Sequence, residues 1–68
     1  MAMIDDAIME FIENNRTKAV PVRLIVAMMG KELDATQNEV EDALIRLENG
    51  NRIHGFFFDG EPCVGTVL

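Results

Sequence analysis

The segment from Thr36 to Ile53 joins a helix start signal, an amphipathic helix and a glycine exit into a strand. Its first four residues match a capping box, in which the Thr36 hydroxyl accepts from the Glu39 backbone N–H and the Glu39 carboxylate reaches back. Apolar residues then recur at the spacing of one buried helix face, namely Val40, Ala43, Leu44 and Leu47. We therefore expect a helix that ends at Asn49 and is closed by Gly50.

A first amphipathic helix is predicted over residues from about 3 to 14, where apolar side chains recur at helical spacing. Acidic residues fill its other side, and Asp5 and Asp6 in the first turn suit the positive end of the helix dipole. This explanation accounts for the two aspartates without a catalytic pair.

A second helix is predicted from Pro21 to about Met29, after a short extended piece at residues 18–20 that begins with Lys18. Gly30 suits its C-terminus. The helix is apolar nearly all the way round, which is typical of a helix packed on two sides, and one of those sides can belong to another subunit or partner. In the connection that follows, residues 31–35, we expect the Leu33 side chain to pack into the core.

The last part of the chain predicts a β hairpin. From Arg52 to Phe58 the apolar period changes to two, Asp59-Gly60 supplies the turn, and residues 63–68 form the return strand, with Pro62 at the loop edge.

Three consecutive phenylalanines in this hairpin cannot all enter one flat face. Alternation places Phe57 with Ile53 and Gly55, and places Phe56 with Phe58 on the other side, so one set is expected to be exposed or paired. The alternative is a small sheet that curls enough to cover all three.

Composition narrows the class of protein. The chain has 68 residues, enough for one domain spanning 1–68, and 49% of them are apolar, which argues against disorder and favours a compact core. Its net charge of −6 disfavours nonspecific binding to nucleic acid or to a membrane surface. A single cysteine, Cys63, and the lack of a signal peptide or membrane-length apolar run favour the cytoplasm. A domain this small has a thin stability margin, and self-association is one way to increase it, so a homodimer is one expectation.

The order of these elements, and residues 40–50 followed by Arg52-Ile53, resemble the winged helix-turn-helix superfamily over essentially the whole chain. The resemblance implies an α+β winged helix, with three helices and a small antiparallel β wing in the order helix, strand, helix, helix, strand, strand. It also implies a third helix whose outer face meets the DNA major groove. In a dimeric DNA-binding regulator the base readers would be Gln37, Asn38 and Arg46, with Lys31 and Arg52 on phosphates.

The outer face of the third helix departs from a DNA-binding pattern. Rotation by 100° per residue places Asp42 and Ile45 near its centre with Glu41 beside them, and the wing tip is acidic as well. We therefore favour a regulatory or adaptor module that binds a protein partner or itself, with acidic residues selecting a basic partner. The residues expected to bind the partner are Asn38, Glu41, Asp42, Ile45, Phe56 and Phe58.

Catalytic and metal-binding patterns are missing from the sequence. It carries no nucleophile motif, phosphate-binding glycine loop or Cys-His pair, and His54 has no second ligand at metal spacing. We expect neither enzyme activity nor a cofactor.

Overall fold

Three helices and a three-stranded antiparallel sheet form this α+β domain, in the order that the sequence predicts. The computed structural model describes residues 3–15 and 19–67; Lys18 and Leu68, which the sequence assigned to strands, lie outside them. The elements are α1 (Met3–Asn15), β1 (Val20–Pro21), α2 (Val22–Leu33), α3 (Gln37–Asn49), β2 (Ile53–Phe58) and β3 (Glu61–Thr66).

Helix α3 begins at the predicted capping box. The Glu39 backbone N–H donates to the Thr36 hydroxyl at 3.2 Å, and the Thr36 backbone N–H donates to the Glu39 carboxylate at 2.8 Å. The predicted inward stripe is confirmed, because all four of its members are buried: Val40, Ala43, Leu44 and Leu47. Gly50 follows the last helical residue, where its N–H donates to the carbonyl of Arg46.

Helix α2 is longer than predicted and begins one residue later. Pro21 is its N-cap, and the helix continues through Gly30 to Leu33, where Asp34 in the left-handed region (φ 57°) ends it. A glycine inside a helix costs only about 1 kcal/mol, and the Lys, Glu and Leu that follow are good helix formers that add little further cost. The prediction that Leu33 enters the core is wrong, since its side chain is exposed at the helix end.

One side of α2 is buried and the other is open. Ile25 and Met29 are buried in the core, whereas Leu24 is 41% exposed and Ala27 is exposed. The described residues therefore cover α2 on one side, and the predicted packing on two sides does not occur within them.

The sheet has the strand order β1-β3-β2, with both pairs antiparallel. The predicted turn is confirmed: Asp59 and Gly60 alone separate β2 from β3, and both have positive φ, 58° and 80°. Strand β3 starts two residues earlier than predicted, so Pro62 lies inside it, opposite Phe57. Pairs alternate between bonded and non-bonded from the turn outward, which puts Pro62 at a non-bonded position where its missing N–H costs no ladder bond to β2.

The core lies between the three helices and one face of the sheet. Its largest fully buried side chains come from the three helices and from strands β1 and β2: Ile8, Val20, Ile25, Met29, Val40 and Ile53.

Candidate interaction surface

An open groove runs between α3 and the β2–β3 hairpin, and we call it the α3–hairpin groove. Its volume is about 420 Å³. The buried side chains of Leu44, Ile53 and Val64 form its floor, so the core itself is the bottom of the groove. Ile45 from α3 and Phe57 from β2 line it as well, 55% and 77% exposed respectively. Two large apolar side chains thus remain available to a ligand beside an apolar floor.

Strand alternation explains why Phe57 faces the groove yet is exposed. Ile53, Gly55 and Phe57 project to the same face of β2, and Ile53 at the start of the strand is buried. Gly55 contributes no side chain and packs near the carboxylate of Glu48. Phe57 comes two residues further along, close to the turn, and its exposed side chain lines the open groove between α3 and the hairpin.

Two carboxylates border the groove on the α3 side. Glu41 accepts a hydrogen bond from the side-chain amide of Gln37 at 3.0 Å, and Glu48 accepts a long one from the Gly55 backbone N–H at 3.4 Å. Both glutamates are exposed. Among the described residues that line the groove there is no Lys or Arg, so its local charge is negative, as is that of the whole chain.

A smaller extension of about 290 Å³ continues the groove toward the start of α2, sharing Val22, Glu41 and Pro62 with it. Arg23 and Glu61 line this extension and form an ion pair of 2.9 Å. Because this pair is exposed, it contributes little to stability. Arg23, which lines the extension, is therefore already paired with a carboxylate of the same domain.

Arg46 is engaged by the first helix. Its guanidinium donates two hydrogen bonds to the Asp5 carboxylate, at 2.7 Å from Nη2 and 3.2 Å from Nε. Asp5 is 7% exposed. The hydrogen bonds to Asp5 raise the pKa of the Arg46 guanidinium above its ordinary value, with the nearby carboxylate charges adding to the effect. Asp5 therefore has a tertiary partner, which the helix-dipole explanation of its position did not foresee.

Three of the predicted partner-binding residues line the groove: Glu41, Ile45 and Phe56. Asn38 and Asp42 are exposed on α3 but outside its lining. The groove thus lies to one side of the outer face that the sequence placed at the centre of recognition.

The exposure of the three phenylalanines matches neither expectation from the sequence. Phe57 and Phe58 are both exposed, although they belong to opposite faces of the strand, so the alternative that a curled sheet covers all three is wrong. Phe56 is half-buried and stacks on His54, with ring centroids 5.1 Å apart. Phe58 lies outside the groove lining, next to the turn.

The residues named for DNA contact do not converge on the groove. Gln37 lines the extension, while Lys31 is exposed in the last turn of α2 and Arg52 is exposed between α3 and β2. Arg46 is paired with Asp5 as described above.

Phe57 is the large exposed apolar groove residue that the sequence did not select as a site residue. Glu48, which also lines the groove, is one of the acidic residues that the sequence expected to select a basic partner. The available signal for Phe57 was its alternation with Ile53, since a core residue four positions earlier puts Phe57 on the inner face.

Other site types are not assembled in the part of the chain that the structure describes. No group of three or more His, Cys, Asp or Glu side chains there could hold a metal ion. Within residues 3–15 and 19–67, no helix combines the length and apolar character needed to cross a membrane.

Fold and groove together define a small α+β domain with an open, largely apolar groove bordered by two carboxylates. Comparison of this chain with protein-family models, curated proteins and solved structures found no match.

Proposed function

We propose that this chain is a winged-helix-type interaction module, an adaptor or regulatory protein that binds a protein partner through the α3–hairpin groove. The exposure of Ile45 and Phe57 on either side of an apolar floor carries this proposal. Apolar anchors that enter such grooves supply most of the affinity in protein interfaces, with a polar rim excluding water around them. The winged-helix assignment is supported by the element order and by the resemblance of residues 40–53.

Nucleic acid fits this surface less well than protein does. Phosphates are held by Lys and Arg, whereas the groove is bordered by Glu41 and Glu48. Arg46, the strongest base-reading candidate on α3, already donates to Asp5. DNA binding by a dimeric regulator therefore stays the alternative that the test must address.

Site-specific photocrosslinking tests the proposal directly. A photoreactive phenylalanine analogue at position 57, expressed in cells of the chain's source, is expected to yield adducts of discrete protein mass. The same analogue in place of Leu24, an exposed apolar residue outside the groove, is the matched control. Adding Ile45→Asp, whose folding is checked by circular dichroism, should remove the adducts at position 57. Equal adducts at both positions, or none at 57, contradict the proposal.

A titration with pooled DNA duplexes at low salt tests the alternative. We expect no localised shifts of the backbone amides of Asn38, Arg46 and Arg52. Localised shifts that disappear on adding salt would instead favour DNA binding through α3.

A further inference from the structure

The charges around the α3–hairpin groove select the chemistry of its occupant. We infer that the groove binds a basic peptide segment of a partner protein, in which a large apolar residue is flanked on both sides by Lys or Arg. This inference rests on the proposed function and adds to it the class of partner. The apolar residue would lie between Ile45 and Phe57, and the flanking cations would meet Glu41 and Glu48.

Glu41, Ile45 and Glu48 lie on one stripe of α3, at positions i, i+4 and i+7. The two carboxylates are thus about 10 Å apart along the helix axis, with the apolar anchor between them. An extended segment covers about 10 Å in three residues, so cations within a few residues of a central apolar side chain reach both. The order of Glu41, Ile45 and Glu48 on the helix therefore matches a partner segment in which a basic, an apolar and a basic side chain follow one another.

The size of the groove suits side chains rather than a whole folded surface. Its volume of about 420 Å³ lies near the lower end of the range of about 300 to 1,000 Å³ that is usual for ligand sites. Along α3 the groove and its extension run from Gln37 to Glu48, or about 16 Å, which corresponds to about five extended residues. A short linear segment is the occupant of that size.

A second copy of this chain is a poorer occupant than a basic segment. A symmetric contact places the same patch on both sides, so the carboxylates of Glu41 and Glu48 would approach those of the other copy. Each copy also carries a net charge of −6. The like charges oppose self-association through the groove and favour a partner of opposite sign.

Selection from a displayed random library of peptides about 12 residues long tests the inference on the whole chain. We expect the enriched sequences to carry Lys or Arg on both sides of a large apolar residue. The double variant Glu41→Gln/Glu48→Gln should bind them about three- to tenfold more weakly, as the loss of two exposed charge pairs implies.

Glu10→Gln/Glu13→Gln is the matched control, because it changes the net charge equally on the exposed side of α1, outside the groove. Its affinity should stay within about twofold of the unmodified chain, as expected for distant screened charges. Equal losses in the two double variants would mean that net charge rather than the groove attracts the peptides, and would overturn the inference.

The remaining outcomes separate the inference from the proposed function. Enrichment of neutral or acidic peptides whose binding is lost in Ile45→Asp would overturn the basic partner while leaving a protein-binding groove. Absence of any peptide that is sensitive to Ile45→Asp and to Phe57→Thr would contradict both. Sedimentation of the chain alone supplies the last outcome: a dimer that Ile45→Asp dissociates would assign the groove to a second copy and overturn the inference.

Discussion

Replacing Phe57 with threonine separates binding from folding, because the ring contributes little to the folded domain. Threonine, which is β-branched, is also compatible with a strand at this position. The Phe57 side chain is 77% exposed, so folding buries about a quarter of it. Since complete burial of such a side chain contributes about 1.5 to 3 kcal/mol, the variant should lose only about 0.4 to 0.8 kcal/mol of unfolding free energy.

The larger effect of Phe57→Thr should appear in binding. A partner that covers the exposed three quarters of the ring gains about 1 to 2 kcal/mol from it, which corresponds to about five- to thirtyfold in affinity. The probe is a fluorescent version of the strongest peptide from the library selection. Its affinity is measured by fluorescence anisotropy, and stability is measured by urea unfolding followed by circular dichroism.

Ile8→Val is the control that should lower stability without changing binding. Ile8 is fully buried in α1 and lies outside the groove, so removing one methylene should cost about 0.5 to 1.5 kcal/mol of stability without changing affinity in the folded protein. The reasoning is refuted if Phe57→Thr loses about 2 kcal/mol or more of stability while its affinity stays the same, because Phe57 would then be a core residue.

Three further predictions concern the scaffold of the groove. Thr36→Ala removes the hydroxyl that accepts from Glu39 and should lower the unfolding free energy by about 1 kcal/mol, whereas Thr36→Ser should restore it in the same urea measurement. Gly60→Ala should cost about 1 to 2 kcal/mol from backbone strain alone, because φ is 80° and the added Cβ meets nothing within 4 Å; an unchanged urea midpoint would contradict the turn assignment. Because Asp5 raises the pKa of Arg46, the contribution of this pair is present below the ordinary arginine pKa and is lost only in strongly alkaline solution. Arg46→Gln should therefore be less stable than the unmodified chain by a constant amount between roughly pH 6 and 10, and a difference that shrinks steadily over this range would count against the ion pair.

The third helix was predictable because its determinants are local. The capping box joins Thr36 to Glu39, and the buried stripe repeats within one or two helical turns, so neither depends on where the rest of the chain lies. The hairpin turn is local in the same sense, since a two-residue connection needs positive φ at Asp59 and Gly60.

The end of α2 was not predictable with the same rules. Glycine is typical of helix C-termini, yet α2 continues through Gly30 to Leu33. A glycine ends a helix only when the residues after it are more stable outside the helix than within it. Here α2 continues to Leu33 and is closed by Asp34, whose N–H donates to the carbonyl of Met29 in the left-handed C-cap.

The groove itself depends on distances between elements that are far apart in sequence. Periodicity placed Phe57 on the same face as buried Ile53, but it carried no information on the open space between α3 and the hairpin. The exposure of Phe57 depends on that space, which sequence spacing alone does not define.

Taken by itself, the amino-acid sequence determined the order of helices and strands, the capped third helix, the hairpin turn and the acidic net charge. Each of these follows from composition or from hydrogen bonds and side-chain periods within a few residues. Only the tertiary structure decided that Asp5 would hold Arg46, 41 positions away, and that Ile45 and Phe57 would border one groove with Glu41 and Glu48. Such pairings depend on how helices and sheet pack, because burial and charge neighbours are properties of the assembled core and not of any one segment.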